Sequence, residues 1–137
     1  MSKVVILVVV DTNFLAVPAQ FSVDVFSESE RVLEQQVDFV ALSSVVNEIR
    51  ALIDKGKGSD KRAFKVALEL VNNCRVVEVE ENLSKVDVDN QLIEYTTSVG
   101  GVLATNDKGL RERARAGGIP VLFLRGKKRL VLEGEVT

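Results

Sequence analysis

The chain has 137 residues, 46% hydrophobic and 28% charged, with a formal net charge of −2. This is the size and composition of one ordinary globular domain spanning 1–137, and no apolar run is long enough to cross a bilayer. A single cysteine (Cys74) and the lack of any histidine exclude an intramolecular disulfide, a Cys-rich or histidine-ligated zinc site, Ser-His-Asp and Cys-His triads, and ribonuclease chemistry on a histidine pair.

Any hydrolytic chemistry must therefore run on carboxylates, lysines or a hard metal ion. The chain opens on an unbroken apolar run from Val4 to Val10, mostly β-branched. A half-exposed strand would alternate, so this run predicts a strand covered on both faces at the centre of a parallel sheet. Asp11, Thr12 and Asn13 end it in place of a small-residue cleavage site, and only Lys3 precedes it. A signal peptide is not expected, and a cytoplasmic location is the default. Asp11 fits two roles. It can cap a helix, or it can serve a site at the carboxyl end of a central strand, where open α/β sheets bind ligands.

A helical segment is predicted over Pro18–Gln36, with Ser27 and Glu30 as a capping box. Val37–Leu42 reads as a strand. Ser43 or Ser44 then caps a helix with Val45, Ile49, Leu52 and Ile53 on its inner face. Glu48 falls inside that stripe, three after Val45 and four before Leu52. An inward carboxylate needs a cation or a functional partner, because its burial alone is costly. The alternative is a rim residue in a local ion pair. Asp54–Arg62, with two glycines and no apolar residue, reads as a surface loop. A helix over Ala63–Leu70, a strand over Arg75–Val79 and an acidic connector over Glu78–Ser84 follow.

Val86–Gly100 predicts a helix capped by Asp87 or a neighbour, with Leu92, Ile93, Thr96 and Val99 on one face. Asp89 shares that face by its spacing to Leu92 and Ile93, or else is a first-turn acid favoured by the helix dipole. Val102–Thr105 is a fourth strand. Asn106 is expected as the cap and Asp107 in the first turn of a helix over Lys108–Gly117. Pro120–Leu124 is a fifth strand, and Arg125–Arg129 a basic turn before a final extended piece.

Strands alternating with helices predict an α/β fold with a parallel sheet between helical layers. Right-handed crossovers from a central first strand give the order 3-2-1-4-5. The switch point then falls between strands one and four, and Asp11, Glu48, Asp89 and Asp107 converge on it. Four carboxylates in one crevice repel one another unless cations intervene. An all-oxygen donor set suits Mg²⁺ or Mn²⁺.

Asp11-Thr12-Asn13, Glu48 within VVNEI, Asp89 followed by Leu92, Ile93 and Gly100, and Thr105-Asn106-Asp107 together resemble a PIN domain over nearly the whole chain. The resemblance implies a three-layer fold with a central five-stranded parallel sheet. It also implies metal-dependent endoribonuclease activity, with catalytic and metal-binding roles for Asp11, Glu48, Asp89 and Asp107 and supporting roles for Asn13 and Thr105. DKRAFKVALELVNN and the C-terminal GGIPVLFLRGKKRLVLEG resemble PIN nucleases that process pre-ribosomal RNA. The compact length resembles VapC-type toxins. The implied partners are single-stranded RNA or RNA loops, with an antitoxin, a pre-ribosomal particle or a second copy of the chain as protein partners. All four acids being present argues against a non-catalytic scaffold. No strand is followed by a Gly-x-Gly-x-x-Gly or Walker A pattern, which argues against a nucleotide-binding module.

Over Asn106–Arg129, eight basic residues face only Asp107 and Glu112. Lys108, Arg111, Arg115, Arg125, Lys127 and Lys128 are accordingly expected to carry the RNA.

Overall fold

The computed structural model describes residues 5–79 and 85–136. Its sheet has six strands in the order β3-β2-β1-β4-β5-β6. They are β1 (Val5–Val10), β2 (Gln36–Leu42), β3 (Arg75–Val77), β4 (Val102–Ala104), β5 (Val121–Arg125) and β6 (Arg129–Glu133). The first five pair in parallel in the expected order 3-2-1-4-5. The expected sheet of five is corrected by the sixth. β6 folds back antiparallel on β5, with Arg125 opposite Arg129 and Val121 opposite Glu133. The turn between them places Gly126 and Lys127 at φ of 63° and 61°, the twist that joins tight hairpins.

β1 lies at the centre because its apolar run can be covered from both sides. Val8, Val9 and Val10 are fully buried, and Val8 pairs with Phe39 on one side and Val102 on the other. Among the described residues six α-helices connect the strands: α1 (Thr12–Phe21), α2 (Val25–Leu33), α3 (Ser43–Lys55), α4 (Gly58–Leu70), α5 (Lys85–Val99) and α6 (Lys108–Ala116). α1, α3 and α4 pack together, whereas α5 packs on β1 and β4 and α6 on β5. Crossovers running in opposite directions from β1 cover opposite faces of the sheet. Among the described residues no helix is long and apolar enough to cross a membrane.

Several local expectations change. The single helix over Pro18–Gln36 is two helices, and the first begins at Thr12 with Pro18 inside it. α2 is capped by Asp24, whose Oδ1 accepts from the Phe26 and Ser27 amides, so Ser27 and Glu30 are not the capping box. Neither Ser43 nor Ser44 caps α3. Its cap position is Leu42, and Ser43 Oγ instead accepts from the Val79 amide at 2.9 Å, holding the segment after β3. The loop over Asp54–Arg62 is mostly helix, since α3 runs to Lys55 and α4 starts at Gly58. Only Ala63 and Ala67 of α4 are buried. β3 stops at Val77, and the acidic connector lies partly outside the described residues. α5 starts at Lys85, so Asp87 sits in its first turn rather than at the cap.

α5 and α6 end alike, which matters for where β4 and β5 begin. Gly100, at φ 63°, donates to the Thr97 carbonyl, and Gly101 donates to that of Thr96. Gly118, at φ 81°, donates to the Arg115 carbonyl, and Ile119 to that of Ala114. This double bond pattern closes a helix and turns the chain sharply into the next strand.

Candidate active site

Asp11 both caps α1 and opens the site, so the two roles read from the sequence coincide. Its Oδ1 accepts from the Thr12 amide at 2.8 Å. Its Oδ2 accepts from the Thr105 hydroxyl at 2.7 Å, across 94 residues of sequence. Thr105 Oγ1 in turn accepts from the Asp107 amide at 3.1 Å. Asp107, not Asn106, caps α6, with Oδ1 accepting from the Leu110 amide at 3.0 Å. Asn106 is a brace instead. Its amide donates to Asn13 Oδ1 at 2.9 Å, and its own Oδ1 accepts from the Leu124 amide at 2.8 Å. The ends of β1, β4 and β5 are thereby tied side by side at one edge of the sheet.

A cleft of about 250 Å³ opens at this edge, lined by Asp11, Thr12, Asn13, Glu48, Leu52, Phe64, Asp89 and Asp107. All four acids read from the sequence therefore meet there. Asp11 and Asp107 come from strand ends, Glu48 from α3 and Asp89 from α5. Asn13 lines the cleft directly. Thr105 lies behind it, fully buried, and acts through Asp11 and Asp107. Sequence reasoning gave no site role to Thr12, Leu52 or Phe64. Phe64 and Leu52 carry the apolar periodicity of a core face, and nothing in spacing separates a cleft wall from a core.

Burial above all, with smaller contributions from the negative charges of Glu48 and Asp89, raises the Asp11 carboxyl to about 6 against the lowering by the Thr105 and Thr12 hydrogen bonds. The folded value stands above the ordinary 3.8. Below that ordinary value both states hold the proton and no penalty applies. Between it and about 6 the folded state alone retains the proton, so stability is lost as pH rises. Above the window the whole penalty of about 3 kcal/mol stands. We expect wild-type minus Asp11→Asn unfolding free energies, measured by urea titration in chelator, to grow more negative from pH 4 to 6.5 and then level off. A difference independent of pH would mean that Asp11 is ionised without penalty.

Thr12 bears on what the cleft holds. It is only 4% exposed, and its hydroxyl has no hydrogen-bond partner among the described residues. A buried polar atom without a partner at a cleft of carboxylates fits a hydrated cation, whose water can serve that hydroxyl. Among the described residues no three acidic side chains stand close enough to enclose a bare ion. Mg²⁺ keeps several waters and takes only one or two carboxylates directly, so the donor set fits a hard, partly hydrated ion.

The basic residues divide. Lys108, Arg125, Lys127 and Lys128 are exposed. Arg111 lies over the Phe123 ring. Arg115 is engaged structurally: Nη1 donates to the Ile119 carbonyl at 3.0 Å and Nε lies 3.8 Å from Glu133. Arg113 Nη2 donates to Asn90 Oδ1 at 2.6 Å, joining α6 to the turn of α5 that carries Asp89.

A family described as "PIN like domain" matches residues 8–127. Ribonuclease VapC4 of Methanocaldococcus jannaschii is 32% identical over 132 residues, covering 94% of this chain and 98% of that protein. Ribonuclease VapC9 of Archaeoglobus fulgidus is 34% identical over 125 residues, covering 91% and 87%. The solved structure of the PIN domain endonuclease Utp24 shares the fold with a TM-score of 0.73 at 23% identity, covering 95% of this chain and 92% of that one.

Proposed function

The chain belongs to the PIN-like domain family, and on that footing we propose that it is an endoribonuclease that cuts single-stranded RNA in the cleft at the end of β1, with a divalent cation, Mg²⁺ or Mn²⁺, as cofactor. The observation that carries the reading is the meeting of Asp11, Glu48, Asp89 and Asp107 in one cleft from four separate elements. A protein that only bound RNA would gain nothing from massing negative charge there.

Asp11, Glu48, Asp89 and Asp107 would hold the cation, directly or through its water. When bound, it supplies Lewis-acid neutralisation of the phosphate and lowers the pKa of water. The remaining work belongs to the chain. Thr105 fixes the rotamer of Asp11 and anchors the amide of Asp107, so two carboxylates from strands adjacent in the sheet keep one spacing. The Asn13–Asn106 bond holds α1 against the β4–α6 turn. Thr12 lines the cleft with a buried hydroxyl that has no partner among the described residues. Leu52 and Phe64 close one wall with apolar surface and limit bulk water around the charges, which strengthens each electrostatic contact.

Of the two biological roles implied by the sequence, a VapC-type toxin has the firmer support. Two ribonucleases of that name are above 30% identity across most of this chain, whereas the likeness to Utp24 is one of fold. The toxin reading brings with it a cytoplasmic location and an antitoxin partner. Processing of pre-ribosomal RNA is the second reading, and mapping the 5′ ends of RNAs cut after induced expression separates the two.

The direct test is cleavage of a single-stranded RNA with Mg²⁺ or Mn²⁺ and with EDTA. We expect cleavage only with metal. Saturating metal at about 100 times Kd should also add about 2.7 kcal/mol of stability. Cleavage at an equal rate in EDTA, with no shift in melting, would remove the metal from the mechanism.

A further inference from the structure

On β5 the side chains of Val121, Phe123 and Arg125 point to one face, and their partners on β6, Glu133, Val131 and Arg129, share it. α6 lies on that face. Its Arg111 guanidinium sits 4.0 Å from the centre of the Phe123 ring, and Arg125 reaches the same ring at 5.3 Å. Arg125 and Arg129 are directly opposite each other in the ladder. Like charges so placed destabilise a hairpin. The one carboxylate on this face of the hairpin, Glu133, is engaged by Arg115. Among the described residues no carboxylate pairs with Arg111, Arg125 or Arg129. Two permanently charged forks thus share one ring, with a third, Arg129, opposite Arg125 in the ladder.

Their place in the fold is specific. The β5–β6 turn lies at the carboxyl end of β5, the same sheet edge as Asp11 and Asp107. Arg111 stands four residues after Asp107, on the same side of α6 and about 6 Å along its axis. The Phe123 ring is only 4% exposed, so it has no free face on which a base could stack. It orients guanidiniums and does not read nucleobases.

We propose that Arg111 and Arg125, gathered about Phe123, form with Arg129 opposite Arg125 a phosphate clamp that grips the sugar–phosphate backbone of the strand next to the cleft, whatever its base sequence. The naming of that polyanion as RNA rests on the endoribonuclease reading above. Arginine forks meet phosphate oxygens two at a time, and a ring beneath two of them lowers the freedom lost on binding. Phe123 is a positioning residue here, since it touches the guanidiniums and not the strand.

The test uses the full chain carrying Asp11→Asn, with binding of fluorescent single-stranded RNA 12-mers, oligo-U and a mixed sequence, followed from low to high salt. Arg111→Gln with Arg125→Gln should weaken binding about ten-fold and lower the salt slope by about 1.4, equally for both RNAs. Lys127→Ala with Lys128→Ala removes the same charge from the neighbouring turn and should cost less than about three-fold. Phe123→Leu keeps apolar volume under the guanidiniums and should weaken binding in the same direction by a smaller factor. Equal losses from the lysine and arginine pairs would replace the clamp by diffuse charge. A loss confined to one RNA sequence would mean base reading, and unchanged binding would end the proposal. Failure of the wild type to cleave RNA while the clamp variants still lose affinity would sink the nuclease reading and leave the clamp. Cleavage by the wild type with no loss of binding in the variants would do the reverse.

Discussion

Asp11→Asn lowers RNA cleavage by about 10³-fold or more, on the order of 4 kcal/mol of transition-state stabilisation, and raises the melting temperature of the metal-free protein at pH 7.5. The two effects have one cause. The carboxylate is buried, and its burial, helped by the charges of Glu48 and Asp89, holds its proton affinity up near 6. At pH 7.5 the charge is present at a cost of about 3 kcal/mol. The amide removes the charge and still accepts from Thr12. Its other end cannot accept from the Thr105 hydroxyl, which returns about 1 kcal/mol or more. A net gain of about 1–2 kcal/mol remains, equivalent to about 3–6 °C. Activity and melting should be measured on the same preparation. Full cleavage by the folded variant would remove Asp11 from the site. An unchanged or lower melting point would mean that the charge is already compensated.

Thr105→Val gives the opposite stability sign with a smaller loss of function. Its shape is kept, but Asp11 Oδ2 loses the donor at 2.7 Å and the Asp107 amide loses its acceptor. Both groups lie where water reaches them poorly, since Thr105 is fully buried. The cost is about 2–4 kcal/mol, and cleavage should fall about 10–100-fold through misplacement of two carboxylates. Thr105→Ser keeps the hydroxyl and should recover most of the activity while losing only methyl packing. If the valine variant melts with the wild type and the serine variant rescues nothing, the hydrogen-bond bridge has no role. The pair of substitutions separates charge at the cleft from the scaffold behind it, because one variant gains stability and the other loses it.

What could be read from the sequence follows the strength of the local pattern. β1 was plain because seven apolar residues in a row have one economical home, the middle of a parallel sheet. From that strand the order 3-2-1-4-5 and the meeting of four acids followed by topology. α1 was misplaced because Pro18 reads as a boundary, yet burial of Phe14, Leu15, Ala16 and Val17 outweighs the bond that proline removes. α4 was half missed because only Ala63 and Ala67 are buried, and two small residues give little periodicity among charges. β6 showed as an extended piece, but its partner and direction depend on the hairpin turn at Gly126 and Lys127. At the site, carboxylates at strand ends were legible, whereas Thr12, Phe64 and Phe123 were not. Their roles arise from what packs beside them, and spacing along the chain carries no record of that.

The Asp11–Thr105 bond also constrains when the chain can act. It joins the start of the fold to a residue 94 positions later, so the loop it closes is among the longest available here. Contacts of such separation form late, because chain entropy must be lost before they give anything back. A nascent or partly folded chain that lacks β4 has Asp11 and Glu48 but no Asp107 and no bridge to hold the spacing. The cleft is therefore incomplete in every form that lacks β4, and on the proposed site cutting activity is tied to completion of the sheet. For a ribonuclease made among its own messenger and ribosomal RNA, this ordering keeps the chain harmless until its central strands have closed.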